Sequence, residues 1–247
     1  MTHRTLIVAA TVLLVACQAE LAGPRPPADA RAYVAASARY HDPQSLWPAF
    51  RGRVDVTTLL RSGEVGWTNE LYLDRARDTF SRGILKDGYP LLQTIGPDGT
   101  CAATWPSPDA TEEQRRRNGL LDEPCAYIEW RRRFYDFLVG LPMVALEGEG
   151  TFREAVPTVT AFGVECYEVE VRFGDDPREP TWQLYLEPDR YRLRAARFVN
   201  ASGGGEWIHY PTDVAYGSFR IKGEQAWYDV DGDRLLSRDR FTYRAIE

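Results

Sequence analysis

The sequence predicts an α+β fold in which helices cover one face of an antiparallel β-sheet. Two observations predict it. From residue 158 onwards, nearly every ten residues contain one run of alternating polar and apolar residues and one turn, which is typical of a meander of strands. Residues 126–139 instead carry aromatic side chains at spacings of three and four, which indicates a helix with one buried face. That helix is a natural cover for the apolar side of the sheet.

The first elements of the chain follow the same two patterns. Asp29 predicts the start of a helix that runs to about Tyr40. Two alternating runs come next, and the turn Ser62-Gly63-Glu64 between them predicts a pair of neighbouring antiparallel strands. The side chains that share a face are Val54, Val56, Thr58 and Leu60 in the first run, and Val65, Trp67, Asn69, Leu71 and Leu73 in the second.

The middle of the chain predicts two helices. Ser107 and Pro108 are typical of a helix start, and Asn118-Gly119 of its end. In the second helix the aromatic and aliphatic stripe consists of Tyr127, Trp130, Phe134, Phe137 and Leu141. Gly140 and Pro142 stop this helix, because neither residue favours its continuation.

The strands of the second half alternate between an apolar and a charged face. Glu168, Glu170 and Arg172 point away from a set of apolar side chains on the same strand. The apolar sets are Tyr167, Val169, Val171 and Phe173, then Trp182, Leu184 and Leu186, then Tyr191, Leu193 and Ala195. One apolar and one polar face per strand fits a sheet that is covered on a single side. No domain boundary or repeat interrupts the pattern, so we expect one domain over residues 29–247.

Size and composition limit the classes of function. The chain has 247 residues, of which 44% are hydrophobic and 12% aromatic, which is too apolar for a disordered protein. The formal net charge of −6 argues against a nucleic-acid partner, because such a protein must neutralise phosphates. We therefore expect a folded protein that binds no nucleic acid. The sequence leaves its oligomeric state open.

The N-terminus resembles the signal peptide of bacterial lipoproteins. His3 and Arg4 precede an apolar run over residues 5–16 that is too short for a permanent transmembrane helix. The run ends in Leu14-Val15-Ala16-Cys17, which resembles a lipobox, so we expect residues 1–16 to be a signal peptide and Cys17 to be acylated with palmitate-type chains. The alternative is an ordinary secretory peptide with an incidental cysteine.

The resemblance to a lipobox also implies a location in the cell. Residues 17–28, with three prolines, predict an extended tether between the lipidated Cys17 and the domain. Gln18 in place of an aspartate resembles the lipoproteins sorted to the outer membrane. We therefore expect a lipid bilayer to be the first partner, reached through acylated Cys17. The expected location is the cell envelope, at the inner leaflet of the outer membrane facing the periplasm.

Three further cysteines lie in the domain. Cys101 and Cys125 can pair in an oxidising compartment and would close a ring of about 24 residues. Cys166 lies within a strand pattern, so we expect a buried thiol with no chemical role.

Catalytic and metal-binding patterns are weak. Beyond the expected signal peptide, the two histidines, His41 and His209, lie far apart and form no zinc motif. Asp229-Val-Asp231-Gly-Asp233 resembles a calcium loop but lacks its glycine and glutamate positions, which favours a hairpin tip. Glu168 and Glu170 are spaced for paired-carboxylate hydrolysis, yet alternating charges are common in a meander. We therefore predict no catalytic residue, no metal site and no cofactor.

Two longer stretches carry a resemblance to a known fold. Residues 134–142, Phe-Tyr-Asp-Phe-Leu-Val-Gly-Leu-Pro, and residues 196–205, Ala-Arg-Phe-Val-Asn-Ala-Ser-Gly-Gly-Gly, are similar to segments of a bacterial lipoprotein family built on a domain of unknown function. Together with the lipobox and the order of elements, they resemble the LolA/LolB lipoprotein-carrier fold. This resemblance implies a large curved half-barrel sheet, helices covering its concave face, and a cavity for a lipid or other apolar ligand between them.

The resemblance leads to three hypotheses. The first is a non-catalytic module that binds an apolar ligand or an acylated protein between sheet and helix. The candidate cavity residues are Trp67, Leu71, Trp130, Phe134, Phe137, Tyr167, Val169, Val171, Trp182, Leu184 and Tyr191. The second is an envelope assembly or sensing protein with a filled core, and the third is a carboxylate-based hydrolase. The volume left beneath the helix distinguishes the first hypothesis from the second.

Overall fold

The computed structural model describes residues 26–86, 89–104, 111–117, 124–148, 150–174 and 180–246. The signal peptide expected over residues 1–16, Cys17 and most of the tether over residues 17–28 lie outside the described residues. So do the expected helix start at residues 107–109 and the helix end at residues 118–119.

Three α-helices are described: α1 (Ala30–His41), α2 (Glu112–Arg117) and α3 (Pro124–Gly140). The predicted cap of α1 is confirmed, because the Asp29 carboxylate accepts a hydrogen bond of 2.8 Å from the backbone N–H of Ala32. Short 3₁₀ turns cover Trp47–Ala49, Arg75–Arg77 and Met143–Leu146. The last of these turns continues the chain from the end of α3.

In the part of the chain that the structure describes, thirteen strands form one antiparallel sheet. They are β1 (Arg51–Leu60), β2 (Val65–Asp74), β3 (Thr79–Lys86), β4 (Tyr89–Ile95), β5 (Cys101–Thr104), β6 (Thr151–Phe152), β7 (Thr158–Ala161), β8 (Val164–Arg172), β9 (Thr181–Leu186), β10 (Leu193–Val199), β11 (Gly205–Tyr216), β12 (Phe219–Asp229) and β13 (Leu235–Arg244). The strand order is β5-β4-β3-β2-β1-β13-β12-β11-β10-β9-β8-β6, with β7 also paired to β8. The sheet is curved and open, as the sequence predicts.

The first and last strands of the chain meet in the middle of the sheet. β1 pairs with β13 over eight residues, so the meander β1–β5 and the meander β8–β13 become one surface. In this register Thr58 lies opposite Asp239. Residues that are 181 positions apart in the sequence thereby come into side-chain contact.

One face of the sheet, here called the inner face, carries the main core. α1 packs against β8 and β12, and α3 packs against β4 and β5. The core side chains include Val54, Val169 and Ile208, which are at most 1% exposed. Full burial of such a side chain stabilises the fold by roughly 1.5–3 kcal/mol. The predicted arrangement, with helices covering the concave side of one large sheet, is confirmed.

The junction after α3 is closely packed. Gly140 ends the helix beneath the Trp47 indole, and a Cβ atom at this position would overlap the ring. A glycine is therefore required here by the close approach of the two segments. This contact fixes the C-terminal end of α3 against the rest of the core.

β10 departs from the predicted alternation. Tyr191 lies before the strand with a positive φ of 58°, and the pairing register with β9 shifts between Leu193 and Ala195. The shift places Ala196 in the inner core with Leu193 and moves Ala195 to the opposite, outer face. The expectation that Leu193 and Ala195 share a face was therefore wrong, because a bulge adds one residue to the strand.

The outer face carries a small second cluster of Ala161, Cys166, Tyr185 and Ala195. Cys166 is completely buried there and forms no disulfide, and burial raises the pKa of its thiol to about 11. A thiol with so high a pKa is a poor nucleophile, because the thiolate is the reactive form. The expected burial of this cysteine is confirmed.

Candidate functional site

A cavity of about 600 Å³ lies between the inner face of the sheet and α3. Its volume falls within the range of about 300–1,000 Å³ that is typical of small-molecule sites. The floor crosses eight neighbouring strands, from β3 at one end to β9 at the other. Neighbouring strands lie about 4.8 Å apart, so the cavity is elongated across the sheet.

Eight of the twenty described residues that line the cavity are aromatic. They are Trp67, Trp130, Phe134, Tyr135, Phe137, Trp182, Phe198 and Trp227. The rings also contact one another: the ring centroids of Phe137 and Trp182 are 4.5 Å apart, and those of Trp182 and Phe198 are 5.1 Å apart. Such rings supply a large and rigid apolar contact area.

Five of the predicted cavity residues line this space, namely Trp67, Trp130, Phe134, Phe137 and Trp182. The others lie elsewhere on the inner face. Leu71, Val169, Val171 and Leu184 are at most 2% exposed and belong to the packed core. Tyr167 and Tyr191 pack around the Tyr33 ring of α1, at centroid distances of 4.7 and 6.0 Å. The inner face is longer than the cavity, and α1 fills the remaining part.

Polar side chains line the β3 end of the cavity, which the sequence analysis did not identify. Arg82 on β3 is only 4% exposed. Its Nε donates a hydrogen bond of 2.8 Å to Asn69 Oδ1, and its Nη1 donates one of 2.9 Å to Gln93 Oε1. The guanidinium also lies 5.8 Å from the centre of the Tyr135 ring on α3. The signal was present, because Arg82 alternates in phase with Phe80 and Ile84.

A second polar group lies in the middle of the floor. The Asp239 carboxylate is 7% exposed and accepts three hydrogen bonds. Thr58 donates to Oδ1 at 2.5 Å, while Gln225 and the Trp227 indole donate to Oδ2 at 2.8 and 2.7 Å. These three protein donors replace the water that would otherwise bind the carboxylate, as a buried charge requires.

Two further charged residues line the cavity, Arg131 and Glu206. Arg131 donates to the Tyr127 hydroxyl at 2.9 and 2.7 Å, and its guanidinium lies 4.7 Å from the Trp130 ring. Glu206 is half-buried, and desolvation raises the pKa of its carboxyl. Trp130 is 53% exposed, so this part of the wall is open to solvent.

Lys222 fixes the end of α3 that is nearest the core. It is 1% exposed, and its Nζ donates hydrogen bonds to the carbonyls of Leu138 at 2.9 Å, Leu141 at 2.7 Å and Val139 at 3.4 Å. These carbonyls belong to the helix C-terminus, where the dipole favours a cation. Burial lowers the pKa of this ammonium to about 7.

The other end of α3 is tied to the sheet by a disulfide. Cys101 on β5 is bonded to Cys125 in the first turn of α3, with 5.5 Å between their Cα atoms. The structure thus joins the two cysteines whose pairing the sequence left open. α3 is held at both ends, and the cavity lies beneath its middle.

The residues considered for other chemistry do not line the cavity. Glu170 forms an ion pair of 3.5 Å with Arg153, and Glu168 lies on the same face of β8. Asp229 accepts bonds from the backbone N–H groups of Asp233 and Arg234, which confirms the predicted hairpin tip. Within the described ranges, no group of three or more His, Cys, Asp or Glu side chains is arranged to hold a metal ion. Over the same ranges, no helix is both long and apolar enough to span a bilayer.

Comparison with solved structures identifies proteins of similar shape. One is a LolA superfamily protein from Nitrosomonas europaea, with a TM-score of 0.51 and 12% identity, which covers 89% of this chain and 94% of that chain. Others are a putative outer membrane lipoprotein-sorting protein domain from Vibrio parahaemolyticus (TM-score 0.46, 12% identity, 87% and 92% covered) and a DUF1329 family protein from Desulfovibrio piger (TM-score 0.46, 10% identity, 87% and 92% covered). No family model and no curated protein sequence matches the chain. The first likeness shows that this protein has a LolA-like fold, as its sequence predicts.

Proposed function

We propose that this protein, a LolA-like fold with a lipobox, is a lipid-anchored module of the cell envelope that binds an acyl chain or similar apolar ligand. The ligand lies in the cavity beneath α3, and the protein carries out no reaction on it. An acylated protein is a partner of the same chemistry, because its acyl chains offer the same surface. The LolA superfamily neighbour supports the fold only, so the ligand is argued from the cavity itself.

One observation carries this proposal: a cavity of about 600 Å³ with many aromatic lining residues lies between the sheet and α3. Protein interiors have few voids larger than a water molecule, and each unfilled void destabilises the fold. This cavity opens to solvent beside Trp130, and its apolar lining favours an apolar ligand over water because such a ligand removes apolar surface from water. A filled core, as in an assembly or sensing protein, would leave no such space.

A cavity-filling substitution tests the binding site. Ser237 lines the cavity on β13, so we expect Ser237→Phe to fill part of it and to weaken binding of the neutral apolar dye N-phenyl-1-naphthylamine at least tenfold. Binding is measured by dye fluorescence, on the full chain carrying Cys17→Ala to keep it in solution.

The matched control is Ser81→Phe. Ser81 lies between the inward-facing Phe80 and Arg82, so its side chain is on the outer face of the same sheet. We expect this variant to bind the dye within twofold of the parent chain. Equal binding by both phenylalanine variants would place the dye outside the cavity, and absence of dye binding to the parent chain would refute the proposed function.

The proposed lipid anchor is tested separately by replacing Cys17, the residue that is expected to be acylated. We expect the chain without substitutions to incorporate labelled palmitate and to sediment with membranes. We expect the Cys17→Ala variant to lose the label and to move to the soluble envelope fraction. The control is Cys166→Ala, which removes a buried thiol and leaves the proposed anchor intact. A Cys17→Ala chain that stays labelled and membrane-bound would disprove the anchor.

A further inference from the structure

Arg82 presents a buried positive charge to the cavity without a matching negative one. Its two hydrogen-bond acceptors, Asn69 Oδ1 and Gln93 Oε1, belong to neutral amides. Among the residues that the structure describes, no carboxylate oxygen lies within 4.0 Å of its guanidinium nitrogens. A buried charge is costly to the fold unless it is paired, so this arrangement favours an anion as a third partner.

Asp239 is not the anion that pairs with Arg82. It lies on β13, three strands away from β3 in the sheet, which corresponds to roughly 14 Å at a strand spacing of about 4.8 Å. Its oxygens already accept from Thr58, Gln225 and Trp227. Asp239 therefore forms no ion pair with Arg82, and its oxygens are occupied by other donors.

The geometry around Arg82 holds the guanidinium in place. The two amide oxygens take one N–H from Nε and one from Nη1, of the five N–H groups that an arginine carries. The Tyr135 hydroxyl accepts one more hydrogen bond from Arg82. Two N–H groups are then left, and a carboxylate needs two for a bidentate contact. Arg82 is among the residues that line the cavity, so a ligand bound there can reach its guanidinium.

We propose that the ligand is a single-chain amphiphile with a terminal carboxylate, such as a fatty acid, whose carboxylate binds Arg82 while its chain extends towards Trp182. This inference rests on the proposed function and adds the ligand's polar group to it. The aromatic walls run from the Arg82 end on β3 to Trp182 on β9 and give the chain an apolar path.

The charges of the cavity favour one negative charge over several. Arg82 and Arg131 are balanced by Asp239 and Glu206, so the four charged side chains sum to zero. A single carboxylate at Arg82 gains an attractive partner and adds only one negative charge to a cavity that contains two acids. A polyanionic head group would be repelled by them, because like charges in a low-dielectric site destabilise one another.

A matched pair of ligands tests the inference. Dodecanoic acid and 1-dodecanol carry the same number of carbons and differ in the charged group. Binding of each below its aggregation concentration is followed at pH 8 by the tryptophan fluorescence of the full chain carrying Cys17→Ala, since four tryptophans line the cavity. We expect dodecanoate to bind at least tenfold more tightly than dodecanol.

Two substitutions test whether Arg82 is the group that binds the carboxylate of dodecanoate. Arg82→Met is expected to weaken dodecanoate binding at least tenfold and to leave dodecanol binding within twofold. Asn69→Asp places a carboxylate beside Arg82, where the fold supplies a hydrogen bond of 2.8 Å. This second variant keeps the arginine paired in the folded state and is expected to abolish the preference for dodecanoate by competing for the guanidinium.

Arg133→Met, a variant of an exposed arginine on α3 that does not line the cavity, is the control and is expected to keep the preference for dodecanoate. Equal binding of both ligands to the parent chain would overturn the inference and leave the proposed function standing, whereas binding of neither ligand would refute the proposed function. Loss of the preference in a further variant, Arg131→Met, with Asn69→Asp unchanged, would also overturn the inference, because the carboxylate would then lie at Arg131.

Discussion

Replacement of Lys222 by methionine is expected to lower the free energy of unfolding by about 3–5 kcal/mol, the range for removing one member of a buried charged contact. The ammonium is the hydrogen-bond donor to three carbonyls at the end of α3, and it lies 5.0 Å from the centre of the Tyr210 ring. Methionine fills a similar volume but donates no hydrogen bond. The three buried carbonyls would lose this donor, and each orphaned group costs about 1–3 kcal/mol.

Urea unfolding at pH 6, followed by circular dichroism, measures this change. The control is Arg240→Met, which removes an exposed cation from the neighbouring strand β13 and is expected to stay within about 0.5 kcal/mol of the parent chain. If Lys222→Met were as stable as Arg240→Met, the lysine would contribute nothing to the position of α3. The dye-binding assay on the same variant then shows whether the cavity depends on that position.

Removal of the disulfide by Cys101→Ser together with Cys125→Ser is expected to lower the free energy of unfolding by about 3 kcal/mol. The bond closes a loop with a sequence separation of 24, and cross-linking such a loop removes conformational entropy from the unfolded chain. The same bond joins the start of α3 to β5, so we also expect weaker binding of the apolar dye.

The parent chain supplies its own control for this prediction. Treatment with a reductant should reduce its stability to that of the double variant and leave the double variant unchanged. A double variant that unfolds at the same urea concentration as the oxidised parent would contradict the prediction. The buried Cys166 thiol stays reduced in both proteins and does not confuse the comparison.

The strands and the covered face of the sheet were predictable from alternation alone. A run such as Val54, Val56 and Thr58 fixes which side chains enter the core, because the side chains of a strand point to opposite faces in turn. The structure places all three on the inner face and buries them. The exception is β10, where the bulge between Leu193 and Ala195 depends on pairing with β9, which lies outside any local pattern.

The extent of the cavity was less predictable. Leu184 and Trp182 alternate in phase on β9, yet the first is buried in the packed core and the second lines the cavity. The difference arises from where α1 and α3 lie over the sheet, and neither position follows from the alternation of β9. The sequence therefore identified the right face and the right helix, but only part of the lining.

The charged residues in the interior were missed because their residue types favour solvent. Arg82 alternates in phase with the apolar residues Phe80 and Ile84, so the pattern contained a signal for its burial. Lys222 is different, because it is buried next to Ile221, which is also buried, and strict alternation fails there. Its burial follows from the carbonyls of α3, which are distant in sequence.

The open edge of the sheet has a consequence for the range of ligands. In a closed barrel, strand number and shear together fix the radius. Here the strand path ends at β5 on one side and at β6 on the other, and the two ends are not joined. Small changes in twist between successive strands can therefore widen or narrow the cavity without breaking a ladder of hydrogen bonds, so the proposed site is adjustable to ligands of different width.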